Sequence, residues 1–284
     1  MTVCCIWGSE YLAIKVGLKQ LPPLLFAGTL SAIAAITLFV IAQLLHAQIP
    51  RKRSSWMLML FLGIFQISLP YGLVFWGAQY IPSGVTALLN GSNPLFVVMF
   101  AHVLVNEKVT RLKSLGLVSS FAGLIAVFWQ DILSIGSLAA QNSLLASLAV
   151  VASAASNGLA GVVAKRHAEE IHPAANVLVQ ATVGTVVLTS LGITTEEHAA
   201  FNLTATTAVA LIYLGVAGLA LSLVAVYWLL KKTTATNLSL STFIVPIVAF
   251  ALGWAVLQEA PTSNQVLGVV LMLVGVYMIS KPTH

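Results

Sequence analysis

The chain has 284 residues, of which 59% are hydrophobic and 7% charged, with a formal net charge of +5. An ordinary soluble domain carries about 25% charged residues, so a water-covered globule is excluded and lipid must stand where water would. The basic excess then reads as the orientation code of a membrane protein, not as a footprint for nucleic acid, and no nucleic-acid partner is expected.

Ten apolar segments follow in chain order: 1–18, 24–45, 56–79, 84–105, 113–130, 142–164, 174–194, 205–230, 236–257 and 265–281. Most reach the about 20 residues that a helix needs to cross about 30 Å of hydrocarbon. They are continuous, without the alternation of a membrane barrel, and a lone helix satisfies its own backbone in lipid. The expected fold is an all-α polytopic membrane protein with ten transmembrane helices.

The first segment begins at Met1, has no basic leader and carries Glu10 at its middle, so it does not read as a signal peptide. Its shortness predicts that a few residues upstream belong to the same helix. Cys4 and Cys5 are adjacent and offer neither a disulfide framework nor metal-ligand spacing; they read as small apolar fillers. No metal or cofactor is expected.

Helix one carries the most informative residue. A carboxylate at mid-helix costs about 2.5–3.5 kcal/mol on insertion scales, so Glu10 should face a cavity or a partner. Two readings stand: a proton-coupling carboxylate or counter-charge for a substrate amine, or a wet or locally paired side chain near the end of a short helix. Trp7 offers a ring for stacking on substrate or cation. Lys15, about 7.5 Å further along, is expected to snorkel to the outer surface rather than to bind a carboxylate.

In helix three, Tyr71 is a site candidate and Trp76, near the helix end, an interface anchor. Helix four carries Ser83, Thr86, Asn90 and Asn93 at spacings of three and four, which predicts one polar face that lines a cavity or glues helices together. Asn90 and Asn93 flank Gly91 and precede Pro94, a backbone weakening that transporters use to expose carbonyls. His102 reads either as a packing residue or as a proton relay. Helix six is rich in small residues, which permits close approach, and its Asn157 is a further candidate. In helix eight Tyr213 is a site candidate and Trp228 an anchor. Helix nine repeats the polar stripe as Thr234, Asn237 and Ser241.

Placed on ten helices, eleven basic residues fall on one side: Arg51, Lys52, Arg53, Lys108, Arg111, Lys113, Lys165, Arg166, Lys231, Lys232 and Lys281. Lys15 and Lys19 fall on the other. The positive-inside rule puts both termini and the basic loops in the cytoplasm of a multi-pass cell-membrane protein.

The chain also repeats itself. At an offset of 152, Gly63 meets Gly215, Trp76 meets Trp228, Pro94 meets Pro246, Glu107 meets Glu259, Gly116 meets Gly268 and Gly123 meets Gly275. At an offset of 150, Gly8 meets Gly158, Lys15 meets Lys165 and Pro23 meets Pro173; Asn157 thereby aligns with Trp7. Two halves result, 1–132 and 133–284, each of five helices. Five is odd, so the halves enter the membrane from opposite sides, as inverted repeats. That arrangement is a hallmark of secondary transporters with a site between the halves. The recurring Glu107 and Glu259 end their helices and are expected to bond a neighbouring helix terminus, or for Glu107 a base.

The stretch WGSEYLAIK followed by PPLL, and the pattern P-x12-E-x8-G-x6-G present once from Pro94 and again from Pro246, resemble the EamA-type carriers of the drug/metabolite transporter superfamily. The resemblance spans essentially the whole chain. It implies ten helices in two inverted five-helix repeats, exporting amino acids or other small metabolites by alternating access. One departure stands out: the arginine that members often carry after the proline pair is absent, the region reading LLFAGTLSA. A multidrug, sugar or lipid-linked substrate is the alternative within the same superfamily. The chain has no P-loop for ATP, and no G-x-S-x-G, no H-E-x-x-H and no converging cluster of the kind an intramembrane enzyme needs. The expected partners are a small molecule, the bilayer and, as candidate coupling ion, the proton. Monomer and homodimer are both compatible.

Overall fold

A computed structural model describes residues 2–48, 50–106, 110–133, 136–167, 171–196, 201–232 and 244–280. Among them the secondary structure is entirely helical. The rods are α1 (Thr2–Gly17), α2 (Pro23–Leu44), α3 (Arg53–Gly77), α4 (Ser83–Val105), α5 (Arg111–Leu133), α6 (Leu138–Arg166), α7 (Pro173–Thr195), α8 (Ala205–Leu230), α9 (Ile244–Leu257) and α10 (Ser263–Ser280). Each apolar segment of the sequence overlaps one of them. By length and composition α2 to α8 are able to cross a membrane. The described parts of α1 and α9 are shorter, at 16 and 14 residues. Large apolar side chains such as Phe39, Leu60, Val118 and Leu267 face outward, as lipid-facing residues do.

Small residues set which rods touch. A Cβ added at Gly123 would stand 2.8 Å from the Gly268 carbonyl, and one at Gly268 would stand 2.9 Å from that of Gly123. Only glycine permits this crossing of α5 and α10, and it lets Ser119 Oγ donate to Leu271 O at 2.9 Å and Ser120 Oγ to Met272 O at 3.4 Å. Such short backbone approaches are the main source of helix association in lipid. α2 and α7 meet the same way, with Gly28 against the Thr189 backbone and Gly192 against that of Leu25.

Helix ends are closed by charged side chains from other rods. Glu196 accepts from Leu24 N at 2.7 Å and Leu25 N at 2.9 Å. That supplies the first turn of α2, whose N-cap Pro22 has no side-chain acceptor to offer. Glu259 accepts from Ser83 N at 2.8 Å and Ser83 Oγ at 2.6 Å, at the start of α4. Gln258 takes a left-handed conformation (φ 60°), so the Glu259 N–H turns back to Gly253 O while its carboxylate reaches α4. Asn106, the residue before Glu107, has the same conformation (φ 54°); Glu107 itself lies outside the described residues. Lys15 does not snorkel: its Nζ donates to Ala78 O at 2.7 Å and Ile81 O at 2.8 Å, just beyond the end of α3. Lys165 Nζ does the same for Leu230 O at the end of α8.

Candidate functional site

Three rods lose regular hydrogen bonding at mid-length. In α3, Gly63–Ser68 forms wide π-type turns, and in α8 Tyr213–Leu221 does so. Such turns leave carbonyls poorly met by the helix itself. Side chains take them up: Ser68 Oγ donates to Gly63 O at 2.9 Å, Ser222 Oγ to Ala217 O at 2.7 Å, Ser156 Oγ of α6 to Phe65 O at 2.6 Å and Trp7 Nε1 of α1 to Gly218 O at 3.4 Å. In α4 the helix breaks at Gly91–Ser92 and restarts at Asn93; Pro94 has no N–H to give the Asn90 carbonyl.

These interruptions surround one central cavity of about 210 Å³ between α1, α3, α4, α6, α8 and α9. Six of the residues expected at a site line it: Trp7, Glu10, Tyr71, Asn90, Asn93 and Asn157. Among the described residues Glu10 is the one charged residue of its wall. Its Oε1 is buried and has no hydrogen-bond partner among the described residues, and it occupies the space left by Gly218, where a Cβ would stand 2.7 Å away. An unpartnered buried acceptor costs about 1–3 kcal/mol, a cost that a bound cation, a donor or a proton would remove. Trp7 offers its ring to the cavity, because its N–H is already engaged by Gly218 O. Tyr71 stacks on Phe75 at 5.8 Å between ring centroids.

The amides are held in place. Asn90 Nδ2 donates to Tyr11 OH at 2.7 Å and Asn90 Oδ1 accepts from Ser153 Oγ at 3.3 Å; Asn93 Nδ2 donates to Ala154 O at 3.2 Å. The stripe of helix four therefore divides along its length, with Asn90 and Asn93 flanking the break. Asn90 and Asn93 reach the cavity, while Ser83 serves Glu259 and Thr86 Oγ1 bonds back to Pro82 O. Other expectations land elsewhere. Tyr213 is not brought to the cavity; its hydroxyl pairs with Ser9 Oγ at 2.7 Å. His102 sits exposed in the last turn of α4, away from the cavity wall. Pro94 and Pro246 are buried in α4 and α9, Pro246 against Gly91. Thr234, Asn237 and Ser241 lie outside the described residues. Trp76 packs on Tyr80, and Trp228 is half-exposed with Lys232 Nζ 3.7 Å above its ring, both at rod ends.

Sequence reasoning missed Tyr11, Gln66 and Ser153, all of which line the cavity. Gln66 had a usable signal: an uncharged amide isolated in the apolar run GIFQIS must find a partner or a wet surface in a membrane helix. Among the described residues no three His, Cys, Asp or Glu side chains converge as metal ligands.

A sheath of apolar rods around a cavity with polar walls and one buried acid is the architecture of a membrane carrier. A family model described as "EamA-like transporter family" matches residues 1–129 and again 144–281. The uncharacterized transporter YoaV of Bacillus subtilis is 31% identical over 98% of this chain and 94% of its own length. YvbV of the same organism, also described as an uncharacterized transporter, is 26% identical over 97% and 88%. A protein solved by crystallography superposes with a TM-score of 0.73 at 16% identity, over 98% of this chain and 95% of that one, a likeness of fold. The chain belongs to the EamA-like transporter family of the drug/metabolite transporter superfamily. It is a multi-pass membrane transporter, not an enzyme.

Proposed function

We propose that this chain is a secondary transporter that exports small metabolites, amino acids first, by alternating access around the central cavity. Its working parts are two inverted five-helix repeats, 1–132 and 133–284, with both termini cytoplasmic. The observation that carries the reading is Glu10, whose Oε1 is buried without a partner among the described residues, in a cavity bounded by interrupted helices. Support for the repeat comes from symmetry-like contacts. Ser119 and Ser120 bond residues 152 positions on; Lys15 and Lys165 close the ends of α3 and α8; wide turns interrupt α3 and α8 at matching positions. Interrupted helices at the middle of a membrane are where transporters place substrate and coupling ion. Glu10 is the group that exchanges a proton against the ammonium of the substrate.

The test is counterflow in proteoliposomes loaded with a mixed pool of L-amino acids, comparing wild type with Glu10→Gln, with and without a pH gradient. Saturable exchange that the gradient drives in wild type, and that the variant loses, is expected. Exchange retained with its gradient response in Glu10→Gln makes the carboxylate structural. No amino-acid exchange by folded wild type sinks the amino-acid reading and favours a drug, sugar or lipid-linked substrate.

A further inference from the structure

The cavity has a second polar wall that the Glu10 chemistry does not use. Gln66 lines the cavity from the wide turns of α3. Its Oε1 accepts from Tyr227 OH at 2.6 Å; the same phenol accepts from Gln180 Nε2 at 2.8 Å, and Gln180 Nε2 also donates to Asn176 Oδ1 at 3.0 Å. Gln180 and Tyr227 are buried, so this chain runs from α7 through α8 to the cavity surface.

Its direction is fixed by hydrogen counting. As drawn, the chain leaves one buried acceptor unmet, Gln180 Oε1. Reversing every bond would turn the Gln180 amide over and bury its two N–H groups there instead, and an orphaned buried N–H is rarer than an under-used carbonyl. The phenol has one hydrogen. With Gln180 donating to it, that hydrogen goes to Gln66 Oε1, and the Gln66 atom left for the cavity is Nε2, a donor.

The repeat sharpens the contrast. At the offset of 152, Gln66 corresponds to Gly218 and Tyr227 to Phe75; at 150, Asn176 and Gln180 correspond to Phe26 and Leu30. In the first half those positions form an apolar cluster, with Phe26 edge-on to Phe75 at 5.1 Å. In the second they form the amide chain. Where Gln66 would recur, Gly218 yields its place to the Glu10 carboxylate. An acid, at the place of Gly218, and an amide donor, at the repeat counterpart of that place, thus both line one small cavity.

Resting on the transporter reading above, we infer that Gln66 is the residue that binds the carboxylate of a zwitterionic substrate, opposite Glu10 at its ammonium, and that Tyr227 and Gln180 are positioning residues that keep the Gln66 N–H turned to the cavity. Among the described residues no basic side chain lines the cavity, so a carboxylate there is met by neutral donors; Gln66 is the one backed by the buried chain of Tyr227 and Gln180. The substrate class follows: α-amino acids with apolar or uncharged side chains, the side chain lying toward Val74 and Phe75.

The discriminating variant is Gln66→Glu, which keeps an oxygen for Tyr227 and replaces the cavity-facing nitrogen with an acceptor. Purified full-length protein in proteoliposomes is assayed with two pools, L-amino acids and the primary amines that lack their α-carboxylate, by counterflow and by competition. Wild type is expected to prefer amino acids at least tenfold. Gln66→Glu and Tyr227→Phe lose that preference while handling amines within threefold of wild type, and Glu10→Gln loses both pools. Tyr227→Phe serves should Gln66→Glu fail to elute as a monodisperse peak. Amines that neither exchange nor compete, or variants that lower both pools alike or neither, overturn the assignment and leave the carrier reading standing. Folded wild type that exchanges no amino acid overturns the carrier reading, and this inference falls with it.

Discussion

Glu259→Ala tests how the rods are held at their ends. In the structure one carboxylate oxygen takes both the Ser83 N–H at 2.8 Å and the Ser83 hydroxyl at 2.6 Å. Truncation leaves a first-turn N–H and a hydroxyl without an acceptor. Loss of a helix cap costs about 0.5–2 kcal/mol, and a bond to a charged acceptor about 1.5–3 kcal/mol. Glu259 is only partly buried, so water recovers some of that loss and about 2 kcal/mol remains. Glu259→Gln keeps an acceptor oxygen without the charge that suits a helix N-terminus, and about 1 kcal/mol is expected. For a chain of this size 2 kcal/mol corresponds to about 4–8 °C in apparent Tm, readable by thermal aggregation in detergent followed by size-exclusion chromatography. Ser83→Ala combined with Glu259→Ala should show coupling of about 1 kcal/mol, because each change removes the other's partner. A Glu259→Ala protein within 1 °C of wild type, or losses that simply add, would refute the cap.

Two further outcomes follow from the same geometry. Lys15→Met keeps the stem and removes the donor of two carbonyl bonds beyond α3, so a loss of about 1–3 kcal/mol is expected, seen as a lower apparent Tm; an unchanged Tm counts against it. Gly218→Ala places a methyl where the Glu10 carboxylate lies, costing about 1–3 kcal/mol by overpacking and lowering counterflow at least tenfold; full transport would mean that Glu10 moves aside freely.

The rods were legible because length and apolarity alone define a membrane helix, and the helix-closing role of Glu259 was legible because an acid follows Pro94 and Pro246 at the same spacing. Spacing alone could not show what depends on a neighbouring rod. Lys15 looks like a snorkelling cation until the end of α3 is placed beside it. Tyr213 looks like a site residue by its depth and by the helix-loosening residues beside it. It sits at the start of the wide turns, where each added residue shifts the helical phase by about 100°, and it faces Ser9 while Gly218 faces the cavity. Ser83 and Asn90 share a face on paper, yet they stand about two turns apart at opposite ends of the segment Ser83–Asn90, so Ser83 meets Glu259 at its start and Asn90 meets Tyr11 and Ser153 at its end. For Gln66 the lone amide in GIFQIS signals that a partner or a wet surface exists, but which one becomes readable only when Tyr227 and Gln180 stand behind it.

The charge inventory of the cavity narrows the alternatives within the superfamily. A phosphate- or diphosphate-linked substrate brings two or more negative charges into a space where, among the described residues, the one carboxylic acid is Glu10 and no base lines the wall; desolvating such an anion without a counter-charge is costly in lipid. A purely cationic drug would satisfy Glu10 and leave the Gln66 N–H groups facing an apolar surface. A neutral sugar could use the amides but gives the buried carboxylate no counter-charge. A zwitterion supplies a counter-charge to the acid and an acceptor to the amide at once, within about 210 Å³, and needs no ion that the wall does not provide.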